Sequence, residues 1–289
     1  MFNPNVSSSF QVNGKFWQIE YGSGFAQGIL GSDLLAIAGT NIPGVRVTFG
    51  LAQRIDDSFY NSGCDGVMGL AYQSISVDNV VPPFYNMLNA GVLDSPIFTF
   101  YLRELAGSPQ GQRGGTLTWG GTNTQNCSSN IQWVPVTSDT YYQFAFSSWS
   151  AGSASGSRNW QAIFDSGTSY FTGPAAEINK MAAALGAQYD SATENFYIDC
   201  FATPPPIYLQ LTNVDRPFLI NYQNYIIPLG NGQCAVAIAY CRSTDPSWIF
   251  GDTFLREYCT TFDPFYVQPG SSLKGRVGFA KTKHFGAHP

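Results

Sequence analysis

The chain has 289 residues, long enough to bury a large core as one β domain or as two lobes. Only 11% of its residues are charged and the net charge is -5, which argues against nucleic acid as a partner, since that needs clustered Lys and Arg. Its two histidines, His284 and His288, both lie at the C-terminal end, a poor place for the imidazole of a Ser-His-Asp or Cys-His mechanism or of a zinc site.

Short alternating segments separated by Gly, Pro, Asn and Ser dominate the chain. Trp17, Ile19 and Tyr21 alternate with Gln18 and Glu20, and Val45, Val47 and Phe49 with Arg46 and Thr48; both read as half-buried strands. Val67-Met68-Gly69-Leu70 reads as a buried strand ending at a close backbone approach, with a short helix from Pro82 to Asn89 after it. Pro174 to Leu185 is the clearest helix, with Pro near its first turn, an Ala-rich middle and Gly186 as a stop. Pro204-Pro205-Pro206 is a rigid loop. Ile249-Phe250-Gly251-Asp252 repeats the apolar-apolar-Gly pattern of Val67-Met68-Gly69, and a helix from Thr253 to Tyr258 follows it. The predicted class is mostly β with a few short helices.

Six cysteines, at positions 64, 127, 200, 234, 241 and 259, form no C-x-x-C pair. Their even number in turn-rich sequence points to disulfides and an oxidising compartment. Asn5-Val6-Ser7 and Asn126-Cys127-Ser128 read as glycosylation sequons, which fits secretion. No apolar run is long enough to span a membrane, and Met1 to Asn5 lacks the basic start and apolar core of a signal peptide.

The chemistry concentrates at Asp165-Ser166-Gly167-Thr168-Ser169, which follows the apolar run Ala162-Ile163-Phe164. A carboxylate at a strand tip, on a turn tight enough to need Gly167 and with hydroxyls at Ser166, Thr168 and Ser169 to hold it, is how a chain presents a catalytic acid. Such loops usually serve chemistry in which two carboxylates share one proton across a water molecule. No second Asp-(Ser/Thr)-Gly-(Ser/Thr) occurs in the sequence. The interval from Asp165 to Gly251, counted back from Gly69, falls before Met1, so the partner carboxylate is expected there.

In order along the chain, Trp17 to Gly24, Asp65 to Tyr72, Gly114 to Gly121, Trp133-Val134-Pro135-Val136, Tyr141-Tyr142-Gln143-Phe144, Asp165 to Ser169 and Trp248 to Phe254 resemble motifs of the pepsin-like aspartic endopeptidases, the family of pepsin, cathepsin D and renin. The resemblance runs from about Phe2 to Ala280. It implies a mostly β, bilobal pepsin-like fold with a few short helices, its first lobe incomplete. Residues 1–127 would be that N-terminal lobe, and 128–289 the C-terminal lobe with the Asp165 loop. It implies aspartate-activated water attacking a peptide carbonyl, with no metal or cofactor. Asp165 matches a catalytic aspartate, and Ser166, Gly167 and Thr168 the residues that support it. Tyr21 matches the flap tyrosine, and Gly22, Ser23, Tyr141, Ser169 and Ile249 match substrate-binding positions. Cys200 and Cys234 resemble the family's second-lobe disulfide, leaving Cys64 with Cys127 and Cys241 with Cys259 as the other expected pairs.

The family's opening segment, with its first catalytic aspartate, precedes the stretch matching Phe2. Asp33, Asp56, Asp57 and Asp65 are no substitutes, because none stands in such a turn after an apolar strand. The expectation is an N-terminally truncated member, whether by an incomplete gene prediction, an alternative start or a catalytically dead form. Three functions follow: an acid endopeptidase acting on protein or peptide, a non-catalytic peptide- or partner-binding relative, or a homodimer pairing two Asp165 loops. The complete family member is expected to be a monomer, secreted or lysosomal.

Overall fold

The computed structural model describes residues 2–22, 24–60, 63–103, 113–230, 232–242 and 246–283, so that Ser23, His284 and His288 lie outside it. The chain divides into two compact units, Met1–Asp94 and Ser95–Pro289.

In the first unit, Gln11–Tyr21, Gly24–Leu35 and Val45–Ile55 form an antiparallel sheet in sequence order. Alternation puts Val45 and Val47 inward, while Trp17 and Ile19 are half-buried along an otherwise exposed first strand. The helix Pro83–Asn89, with Pro at its first turn, packs on the Val45–Ile55 strand and buries Phe84 and Met87. The N-terminal stretch is tied to the sheet by Asp33, whose buried carboxylate accepts hydrogen bonds from the Ser7 hydroxyl (2.6 Å), the Ser9 hydroxyl and the Leu34 amide (2.7 Å).

The apolar run at Val67 departs from expectation. Val67 and Met68 are 69% and 43% exposed and belong to no sheet among the described residues. The repeat partner Trp248–Phe250 becomes a buried strand because it has a neighbour on each side. The Val67 stretch has no such ladder around it, and apolar sequence alone does not make a strand.

The second unit holds most of the core. Its largest sheet runs Phe218–Ile220, Ile207–Leu211, Tyr142–Ala151, Ala154–Phe164, Trp248–Phe250, Phe171–Gly173 and Ile238–Tyr240, with Ser138–Asp139 paired to Tyr142–Ala151. Alternate residues of Tyr142–Ala151 point inward, so Phe144 stacks on Phe164 at 4.0 Å between centroids and Phe146 on Trp160 at 5.1 Å. Gly115–Trp119, Phe98–Leu102, Tyr258–Val267, Lys274–Lys281 and Gln132–Pro135 form a second sheet in that order. Gln188–Asp190, Asn195–Ile198, Gln233–Val236 and Ile226–Gly230 form a third. The helix Ala175–Leu185 buries Ile178, Met181, Ala182 and Leu185, an i, i+3, i+4, i+7 face, and ends at a left-handed Gly186.

The helix expected from Thr253 to Tyr258 is shorter and earlier, Asp252–Leu255. Tyr258 instead opens a strand opposite Lys281, with its phenol oxygen accepting the Leu219 amide at 2.9 Å, so ladder and hydrogen bond together override the helical pattern.

Cys200 and Cys234 are joined. The expected Cys64–Cys127 and Cys241–Cys259 pairs are replaced by a Cys127–Cys259 bond, with the two Cα atoms 5.9 Å apart. The reason is register. Cys127 bridges Thr282 and Ser128 donates to the Lys281 carbonyl, while Cys259 lies opposite Ala280, so the same strand end brings the two together. Cys64 and Cys241 are in neither disulfide.

Candidate active site

The Asp165 loop hangs from a three-strand frame. Ala162, Ile163 and Phe164 run parallel to Trp248, Ile249 and Phe250, and on the other side Phe171 and Thr172 run antiparallel to Phe250 and Ile249. The chain therefore leaves one neighbour of the Trp248–Phe250 strand and returns on the other, and residues 165–170 must make the crossing. The Asp165 amide donates to the Phe250 carbonyl at 3.2 Å, which pins the start of the loop.

Within the loop, the Gly167 amide donates to Asp165 Oδ1 at 2.9 Å and the Thr168 hydroxyl to Oδ2 at 2.6 Å. Each carboxylate oxygen thus has one donor from its own turn, and Asp165 remains partly exposed. Gly167 lies close to the carboxylate: a Cβ there would sit 3.2 Å from Asp165 Oδ1, a tight contact that the side chain would have to yield to by a few tenths of an ångström. Ser166 and Ser169 are exposed at the loop surface.

The loop is held from beneath by the residues after Phe250. A Cβ at Gly251 would run into the Thr168 and Tyr170 carbonyls, so only glycine fits this crossing. The Asp252 amide donates to the Thr168 carbonyl at 2.8 Å, and the fully buried Thr253 uses both its amide (3.3 Å) and its hydroxyl (3.1 Å) on the Ser169 carbonyl. Asp252 also faces Arg256 one helical turn on, at 3.5 Å. Burial pushes the Asp252 carboxyl up to about 6; Arg256 works against that and the charge of Asp165 adds to it.

Of the other expected site residues, Ile249 is in the frame itself, opposite Ile163 and Thr172. Tyr141 is 44% exposed beside Tyr142, which opens the neighbouring strand. Tyr21 ends the first strand of the first unit and Gly22 follows it in the turn; Tyr21 meets the Phe59 ring edge-on at 5.4 Å and burial raises its phenol pKa. Ser23 lies outside the described residues. Asp252 and Arg256 were not singled out in the sequence as site residues. Their i, i+4 spacing directly after the Gly251 motif was the available signal.

A carboxylate on a glycine turn, held by a neighbouring hydroxyl and suspended between strands, defines a protein built to present an acid at a strand tip. A model of the family described as eukaryotic aspartyl protease matches residues 1–273. The chain is 40% identical over 267 residues to aspartic protease 6 of Caenorhabditis elegans, covering 91% of this chain and 68% of that protein. It is 31% identical over 287 residues to aspartic protease 2 of Necator americanus, covering 98% and 65%. With gastricsin of Oryctolagus cuniculus the identity is 36% over 289 residues, covering 96% and 70%. The chain belongs to the eukaryotic aspartyl protease family, with a mostly β, pepsin-like fold. It spans about two thirds of the length of these relatives.

Proposed function

We propose that the protein is a pepsin-like acid endopeptidase in which Asp165 and a second carboxylate, carried by a segment that precedes this sequence, hold and activate the water that attacks a peptide carbonyl. The observation that carries this reading is the Asp165 carboxylate itself, held by Gly167 and Thr168 yet partly open to solvent at a strand tip. A single carboxylate lacks the like charge that splits a pair into an acid and a base. The exposed Val67-Met68 stretch supports the second part. Its repeat partner Trp248–Phe250 is covered by the strand that leads into Asp165, and an equivalent strand over Val67 would bring its own catalytic turn. On this reading Tyr21, Gly22, Ser23, Tyr141, Ser169 and Ile249 contact the peptide substrate, Ser166 braces the loop, and the two disulfides suit a secreted or lysosomal protein.

Mass spectrometry of the native N-terminus, paired with casein hydrolysis at acid pH, tests this. The native protein is expected to extend beyond Met1 with a second Asp-Thr-Gly motif and to be active, and Asp165→Asn is expected to lower kcat by several orders of magnitude. A native protein that starts at Met1 is expected to bind peptide without turnover. Pepstatin-sensitive cleavage by that form, or full activity of the Asn variant, would show that another carboxylate does the work.

A further inference from the structure

We propose that Asn5 carries an N-linked oligosaccharide and that the second sequon, at Asn126, stays bare in the folded protein. The inference rests on the reading of the protein as one that passes through the secretory compartment. It adds a covalent modification site that takes no part in peptide hydrolysis.

Asn5-Val6-Ser7 begins on the short helical turn Pro4–Val6, where Asn5 and Val6 are both exposed, Val6 by 81%. The Asn3 side chain accepts the Asn5 amide at 3.0 Å and so closes the backbone of the turn locally, with the Asn5 side chain outside it. The motif also requires a hydroxyl two residues on. In the fold the Ser7 hydroxyl is committed to the Asp33 carboxylate at 2.6 Å. Asp33 is made 26 residues after Ser7, so that hydroxyl is free while Asn5 first emerges and becomes engaged only when the sheet forms. Folding then fixes Ser7 inward and leaves Asn5 in solvent, where a bulky hydrated group costs no packing.

The donor is an oligosaccharide joined through its anomeric carbon to a lipid pyrophosphate. Asn5 Nδ2 attacks that carbon, and the bond from the carbon to the pyrophosphate oxygen breaks as a carbon–nitrogen bond forms. The nitrogen gives up one proton to solvent, and the lipid pyrophosphate leaves. Asn126 offers the same atoms in surroundings that do not accept the product. Its Nδ2 donates to Oδ1 of the buried Asn123 at 3.1 Å, and its backbone amide donates to the same oxygen at 2.9 Å. Its carbonyl accepts the Lys283 amide at 2.7 Å, and the Cys127 amide donates to the Asn123 carbonyl at 3.0 Å. Cys127 itself is buried in the bond to Cys259. A sugar on this half-buried nitrogen would push Asn123 aside and open the turn that brings Cys127 to Cys259, so chains modified there are lost from the folded pool.

Peptide mapping of the native protein by mass spectrometry, before and after enzymatic removal of N-glycans, tests both halves. Removal turns a glycosylated Asn into Asp, so the peptide holding residue 5 should carry that change and the peptide holding residue 126 should keep Asn. In the native-length chain passed through the secretory pathway of cultured insect cells, Asn5→Gln and Ser7→Ala should each abolish the glycan-dependent gel shift. Ser7→Thr should keep it, and Asn126→Gln should leave it unchanged. None of these readings needs a folded variant, because the sugar is attached as the chain is made. An unmodified Asn5 in native protein whose Cys200–Cys234 bond is closed overturns the proposal and leaves the secretory reading standing. An unmodified Asn5 with every cysteine reduced overturns both. A sugar on Asn126 in protein whose Cys127–Cys259 bond is closed overturns the choice between the two sequons.

Discussion

Asp33 and Asp252 are both partnered carboxylates, the first by two hydroxyls and an amide and the second by Arg256, and they carry opposite pH dependences. Hydrogen bonds from Ser7, then Ser9, with the Leu34 amide, hold Asp33 below its ordinary 3.8. Its contribution to stability is present above 3.8 and is lost as pH falls through the lower folded value. Asp33→Asn is therefore expected to lower the urea midpoint at pH 6 and to weaken the loss of stability expected below pH 3.8; an unchanged acid limb would remove Asp33 as its cause. Asp252 is raised from 3.8 to about 6, so the folded protein binds the extra proton between those values and stability falls as pH rises across that window. Asp252→Asn is expected to flatten this fall, by about 2–3 kcal/mol in denaturation free energy. A wild-type slope retained in the variant would refute it. Asp165 was legible in the sequence because its carboxylate, glycine and hydroxyl are local to one turn. The hydroxyls on Asp33 come from Ser7 and Ser9, distant in sequence and announced by no spacing, whereas Asp252 meets Arg256 one helical turn on, a spacing the chain does carry.

Elements were legible where sequence and packing agree. The helix Ala175–Leu185 has its apolar stripe, its Pro174 entry and its Gly186 exit all within one stretch, and the expectation matches it closely. Val67-Met68-Gly69-Leu70 and Trp248–Phe250 carry similar apolar sequence yet end differently, because a central strand is made by the neighbours on both sides. The cysteine pairing failed for the same reason, since the register of Cys259 beside the Cys127 stretch is a long-range property. The element that holds the Asp165 loop offers a direct check. Gly251→Ala would drive a methyl into the Thr168 and Tyr170 carbonyls, both backbone atoms that cannot rotate away. We expect a loss of about 1–3 kcal/mol in unfolding free energy. The Asp165 signals should shift with it, because the displaced Thr168 is the residue that bonds Oδ2. A variant as stable as wild type would mean that the crossing has more room than these distances allow.

At the scale of the whole molecule, the two units are unequally built. Among the described residues, the buried apolar side chains of the first are Leu30, Val45, Val47, Tyr72, Phe84 and Met87, whereas the second owns the Phe144, Phe146, Trp149, Trp248, Phe250 and Phe254 cluster. Both disulfides also lie in the second unit, and the Cys127–Cys259 bond closes a sequence separation of 132. Cross-links over such lengths remove about 4–5 kcal/mol of unfolded-state freedom in the chain-entropy account. Among the described residues the first unit has a single three-stranded sheet, its outer strand Gln11–Tyr21 mostly exposed, and an exposed Val67-Met68 stretch. Local opening follows buried contact, so the units should not open with equal ease. In native-state hydrogen exchange of the 289-residue chain, amides of Val45–Ile55 are expected to exchange through openings of lower free energy than those of Ala154–Phe164, and limited proteolysis should cut first before Cys127. Adding the preceding segment, if it seats on Val67 as proposed, should raise protection in Val45–Ile55 and leave Ala154–Phe164 nearly unchanged. Equal protection of both strands in the 289-residue chain would mean that the first unit is complete as it stands, which favours a binding protein over an endopeptidase awaiting its second aspartate.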